Sequence, residues 1–213
     1  MRLLILIAFL FVSACQVTTT APRAPSAAAP QGQPVSRDVR DRFQTVVERV
    51  APVAVSTCQA RTRGRDCRFQ IFVDTRPGLP VNAFQTEDRS GRPVIVFTLP
   101  LVQQARNADE LAFVLGHETA HHILGHLSRT QTNAAQGALI GAVLAGALGV
   151  DGASAEALSR QGAAIGSRTF SKEFELEADA LGTVITARAG YDPVRGAAFF
   201  NRLPDPGDRF LGT

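Results

Sequence analysis

The chain has 213 residues, 45 % hydrophobic and 19 % charged, enough to bury a core and too apolar to be disordered throughout or to be a disulfide mini-scaffold. A mean hydropathy near zero excludes a polytopic membrane protein. The net charge of +3 comes from 22 cations against 19 anions spread along the chain, so no nucleic-acid partner is expected.

In chain order, the first segment is Met1, Arg2 and an apolar run from Leu3 to Val12, closed by Ser13, Ala14 and Cys15. A charged start, a short apolar stretch and a small-residue exit read as a signal peptide over residues 1–14. The run is too short to span a hydrocarbon core of about 30 Å. Val12-Ser13-Ala14-Cys15 resembles a bacterial lipobox, which implies a lipid on the Cys15 thiol, with ordinary secretion as the alternative. In such lipoproteins a residue like Gln16 implies the periplasmic side of the outer membrane. The alternatives are the inner membrane and free secretion to the periplasm. Residues 15–35 are rich in Thr, Ala, Pro, Gln and Gly and read as a disordered tether. One domain follows, over residues 36–213.

Ser36 precedes Val39, Phe43, Val46, Val47 and Val50 at helical spacing, which predicts a helix over 37–50 that Pro52 stops. Cys58 and Cys67 flank a polar, turn-rich loop. In an exported chain they are expected to pair across a hairpin tip, with two free buried thiols as the alternative. Phe69, Ile71 and Val73 alternate as a strand, and Val94 to Leu99 form another after the turn Asp88-Arg89-Ser90-Gly91, together a small antiparallel sheet. Asn107 and Glu110 form a capping box for a helix over 108–127. Residues 134–150 are nearly all small or aliphatic and read either as a tight hairpin between helices or as a membrane-inserted segment. Ser171 starts a helix over 172–189 ended by Gly190, and a short helix covers 194–202.

All four histidines lie in Gly116-His117-Glu118-Thr119-Ala120-His121-His122-Ile123-Leu124-Gly125-His126. At about 100° per residue, His117 and His121 share one helical face, so both imidazoles can reach one Zn²⁺. His122 and His126 fall on the other side of a continuous helix and are expected in packing or surface contacts. The third donor is sought in Glu173, Glu175, Glu177 and Asp179. Glu175 and Asp179 share a face, so one carboxylate could bind metal while the other orients a ligating ring. Glu173 and Glu177 share another face, read as solvated charge.

His117-Glu118-Thr119-Ala120-His121, Glu175-Leu176-Glu177-Ala178-Asp179, Asn82-Ala83-Phe84 and Ala189-Gly190-Tyr191-Asp192-Pro193 resemble, over residues 36–210, the zinc metallopeptidases of family 48. These include the CAAX prenyl protease type 1, HtpX and BepA. The resemblance implies a mainly helical α+β, zincin-like domain holding one zinc per chain through His117, His121 and Glu175. Glu118 would be the general base and Asp179 a supporting residue. It implies an endopeptidase acting on protein or peptide substrates. With the lipid anchor this becomes an envelope enzyme that removes unfolded or misassembled proteins. An extended substrate would pair with the strand around Val94 to Phe97. Relatives follow Asn-Ala-Phe with a Gly-Gly turn, where this chain has Gln85 to Gly91. The rival expectation is a non-catalytic, zinc-stabilised chaperone or assembly-factor lipoprotein.

Overall fold

The computed structural model describes residues 36–168 and 171–202. The signal peptide, Cys15 and the tether lie outside the described residues.

Helix α1 (Arg37–Arg61) opens on Ser36, whose hydroxyl accepts from the Val39 N–H, and it carries Pro52 inside it. The predicted stop at Val50 is therefore corrected. A proline removes one hydrogen bond from the ladder, but the buried stripe Val46, Val50, Ala54, Thr57 and Cys58 keeps helical period through it, and that packing outweighs the lost bond. Cys58, in the last turn of α1, is joined to Cys67 with 5.8 Å between Cα atoms. The loop between them leads out of a helix, and is not a hairpin tip.

Three strands follow, β1 (Gln70–Asp74), β2 (Ala83–Glu87) and β3 (Pro93–Thr98), in the spatial order β1-β3-β2. β1 pairs with β3 in parallel, Ile71 opposite Ile95, and β2 pairs with β3 antiparallel, Gln85 opposite Ile95. The sheet is mixed, which corrects the expected antiparallel sheet. β1 and β3 are linked by a segment long enough to reverse direction twice, and β2 lies within it. The central β3 supplies Ile95 and Phe97 to the core, both fully buried.

After a short helix α2 (Leu99–Gln104), helix α3 (Ala108–Leu124) runs through the middle of the domain, buried along nearly its whole length. Asn107 Oδ1 accepts from the Glu110 N–H at 3.0 Å. The other half of the capping box is redirected, because the Glu110 carboxylate accepts from the Arg106 N–H at 2.8 Å and from Arg202. Gly125, at φ +73°, ends α3, so the helix stops short of residue 127. Helix α4 (His126–Leu148) departs in a new direction, and α5 (Gly152–Arg168) folds back along it. Residues 134–150 thus belong to a helical hairpin, and no helix among the described residues is long and apolar enough to cross a membrane.

Helix α6 (Ser171–Arg188) packs along α3, and α7 (Pro193–Ala197) with the 3₁₀ turn Phe200–Arg202 closes over the start of α3. The α3–α6 contact depends on two glycines. A Cβ on Gly116 would lie 2.9 Å from the Gly182 carbonyl oxygen, and one on Gly182 would lie 2.9 Å from the His117 nitrogen. Without side chains there, the two backbones touch, and the acidic face of α6 lies against His117. The architecture is the expected mainly helical α+β fold.

Candidate metal centre

His117 and His121 leave α3 one turn apart, and their Nε2 atoms are 2.9 Å from each other. Glu175, in the second turn of α6, brings Oε2 to 3.3 Å from His117 Nε2 and Oε1 to 3.6 Å from His121 Nε2. The three side chains each offer an atom within 4.8 Å of the others, as a metal site requires.

The outer nitrogen of each ring is held by a partner that dictates where its proton lies. His117 Nδ1 is 2.9 Å from Asp179 Oδ1, and since a carboxylate only accepts, Nδ1 donates, which makes Nε2, turned inward to Glu175, the nitrogen that would meet a metal. For His121 the partner is a further histidine. His126 Nε2 lies 3.1 Å from Glu177 Oε2 and so donates to it, which leaves His126 Nδ1 as an acceptor, 2.8 Å from His121 Nδ1. His121 Nδ1 therefore donates, and its Nε2 lone pair also points inward. Glu177 is fixed in turn by Arg129 Nη1 at 2.8 Å, and Phe174 stacks on His126 with ring centres 4.6 Å apart.

These contacts correct two expectations. His126 is neither a surface nor a simple packing residue: Gly125 breaks the helix and turns it back onto His121. Glu177 is exposed as expected, yet it is more than a solvated charge, because it also anchors a chain of hydrogen bonds through His126 to His121. Glu173 stays exposed. His122, fully buried, donates Nε2–H to the Asp66 carbonyl at 2.7 Å, and its Nδ1 faces the Gln85 amide at 3.5 Å. It binds α3 to the loop beside Cys67 and to β2.

The electrostatics fit a cation between the two rings. Burial pulls the His117 imidazole down, but its bonds to Asp179 and Glu175 outweigh burial and carry it up to about 10. Burial, and then the charge on His117, push His121 down to about 4. Without a metal, His117 thus keeps a proton on the nitrogen that faces Glu175, and metal binding would displace it. Burial would raise Glu175, yet its bond to His117 and the facing His121 ring hold it below the ordinary range. Once that proton is displaced, two inward ring nitrogens and a carboxylate form a donor set suited to a divalent metal.

Glu118 lies beside this centre, buried, and accepts from the Gln85 backbone N–H of β2. Burial raises its carboxyl to about 7, with the His117 charge opposing. β3, the strand expected to hold substrate, is hydrogen-bonded on both sides and has no edge to offer. The edge next to Glu118 belongs to β2.

A helix presenting two histidines with a buried glutamate between them, met by a carboxylate from a second helix, defines a metallopeptidase domain. Residues 39–210 match Peptidase family M48, and the chain belongs to that family. It is 29 % identical over 119 residues to the mitochondrial metalloendopeptidase OMA1 of Arabidopsis thaliana, covering 56 % of this chain and 23 % of the relative. It is 32 % identical over 118 residues to the beta-barrel assembly-enhancing protease of Escherichia coli O157:H7, covering 52 % of this chain and 24 % of the relative. The matched segment thus spans about a quarter of the length of these curated relatives.

Proposed function

We propose that this chain is a zinc-dependent endopeptidase, lipid-anchored through Cys15 on the periplasmic side of the bacterial outer membrane, that hydrolyses unfolded or misassembled envelope proteins. The observation that carries the catalytic part is Glu118, a carboxyl buried beside three converging metal donors. A structural metal site would gain nothing from such a group.

His117, His121 and Glu175 would hold the metal, and zinc suits two imidazoles and one carboxylate. Zinc bound there supplies Lewis acidity to the attacking water and to the scissile carbonyl. Glu118 takes the proton of the water as it attacks and returns it to the departing amine, breaking the C–N bond, so one group serves as base and then acid. Asp179 and the His126–Glu177 pair keep the ring tautomers fixed throughout. The free edge of β2 would pair with an extended substrate backbone, which selects unfolded segments more than particular side chains. The signal-peptide pattern, the lipobox resemblance and the likeness to a beta-barrel assembly-enhancing protease support the envelope setting.

The test is metal analysis with a proteolysis assay on an unfolded protein. The purified chain is expected to carry about one zinc, and Glu118→Gln to keep it while losing turnover by roughly 10³-fold or more. Equal turnover by both proteins overturns the catalytic reading, and a holding activity unchanged in Glu118→Gln without hydrolysis would favour a chaperone.

A further inference from the structure

The α4–α5 hairpin takes no part in the chemistry above, and it is packed in an unusual order. Its inner seam is made of small residues. A Cβ on Gly137 would stand 2.1 Å from the Gly162 carbonyl oxygen, and one on Gly141 2.2 Å from the Leu158 carbonyl oxygen. Ala145 is buried in α4, one turn beyond Gly141. The large aliphatics face out: Leu139, Ile140, Val143, Leu144 and Leu148 are between 49 % and 69 % exposed. No charged residue occurs from Thr130 to Val150. Helix α5 carries instead the Glu156–Arg160 ion pair, with both side chains largely exposed.

In water, helix pairs bury their large side chains and turn small or polar ones outward. Helices in lipid do the reverse, because their backbones gain from close approach while aliphatic side chains mix with acyl chains. We propose that the outer face of α4 lies in the hydrocarbon boundary of a phospholipid bilayer, with α5 turned to water. The charge-free face of α4 and the charged pair on α5 set that orientation. Since no described helix is long enough to cross, α4 lies along the interface. The inference rests on the anchoring reading for its choice of occupant: the chain that precedes α1 leads back to Cys15, and that stretch reaches at most about 75 Å. The bilayer holding the lipid is therefore within reach of the hairpin. Since α4 begins directly after α3, the metal centre would work at the bilayer surface, where chains that fail to insert are exposed.

The chain contains no tryptophan, so a single introduced one reports its own surroundings. Leu144→Trp and Val143→Trp on α4 and Ala157→Trp on α5 are made in the full chain. Each is mixed with phosphatidylethanolamine–phosphatidylglycerol vesicles whose acyl chains are brominated. The two α4 tryptophans are expected to lose about half or more of their emission to the brominated lipid and to be shielded from aqueous acrylamide, with Ala157→Trp showing the opposite. Acrylamide quenching equal at all three positions overturns the proposal. So does shielding of the α4 tryptophans without lipid quenching in a chain that sediments as a dimer, which would make a second copy the occupant. The mass of the N-terminal peptide reports lipidation separately: an unmodified Cys15 removes the anchoring reading, while quenching by brominated lipid in that same preparation still supports the hairpin contact.

Discussion

Asp179 and His126 orient the two metal-facing rings, one from a carboxylate and the other from a third imidazole backed by Glu177 and Arg129. Removing such an orienting partner frees the ring to adopt the wrong tautomer. His126→Ala is expected to weaken zinc binding about 10- to 100-fold. His126→Asn, whose amide oxygen can still accept from His121 Nδ1, should recover part of that loss. Zinc affinity by competition with a chromophoric chelator checks this, and equal affinities in all three proteins would show that His126 only packs against Phe174. The spacing of His117 and His121 was readable because a regular helix places them without further information, and the shared face of Glu175 and Asp179 was readable for the same reason. His126 was not, since its position on the far side follows only if α3 continues past residue 124. The one signal was Gly125, a residue suited to the left-handed conformation that ends a helix. Glu177 became legible only with His126 in place.

At the scale of elements, the separation of α3 and α6 decides whether Glu175 meets the histidines at all. Gly182→Ala would place a methyl group 2.9 Å from the His117 nitrogen, against backbone that cannot step aside. The expected cost is about 1–3 kcal/mol, together with a loss of zinc affinity as the acidic face moves off His117. Gly146→Ala is the control: nothing lies within 4 Å of its Cβ, and a helical glycine replaced by alanine should gain up to about 1 kcal/mol. Urea unfolding of the two variants, with and without chelator, separates the effects, and a neutral Gly182→Ala would contradict the close contact. Helical periodicity was legible across most of the chain. It misled where a breaker was tolerated, as at Pro52, which the buried stripe of α1 carries through. The sheet was less legible. The residues of β2, Ala83-Phe84-Gln85-Thr86-Glu87, carry no clear alternation of apolar and polar positions, and a parallel pairing between β1 and β3 depends on contacts far apart in sequence, which no local pattern encodes.

For the molecule as a whole, the Cys58–Cys67 bridge ties the end of the longest helix to the start of the sheet. Between the two cysteines lies Asp66, whose carbonyl accepts from His122 on α3. The covalent link, the sheet and the metal-binding helix thus meet at one place. Cross-linking residues nine apart removes loop entropy from the unfolded chain worth about 2–3 kcal/mol. For a domain of this size, each kcal/mol corresponds to about 2–4 °C in Tm. Reduction is therefore expected to lower Tm by about 5–10 °C, and Cys58→Ala/Cys67→Ala to do the same without reductant. The two should differ at the site from a generic loss of stability. With the loop released, His122 loses its fixed acceptor, and β2 loses part of its hold on α3, so the Gln85 N–H no longer meets Glu118 at a set distance. Turnover at a temperature well below the transition should fall while zinc content stays at one per chain, because the donors on α3 and α6 do not depend on the loop. Calorimetry, metal analysis and a proteolysis assay on oxidised and reduced protein test this together. An unchanged Tm would mean that the loop is held by its noncovalent contacts alone, and zinc lost before turnover would place the bridge in the service of the metal donors instead of the β2 edge.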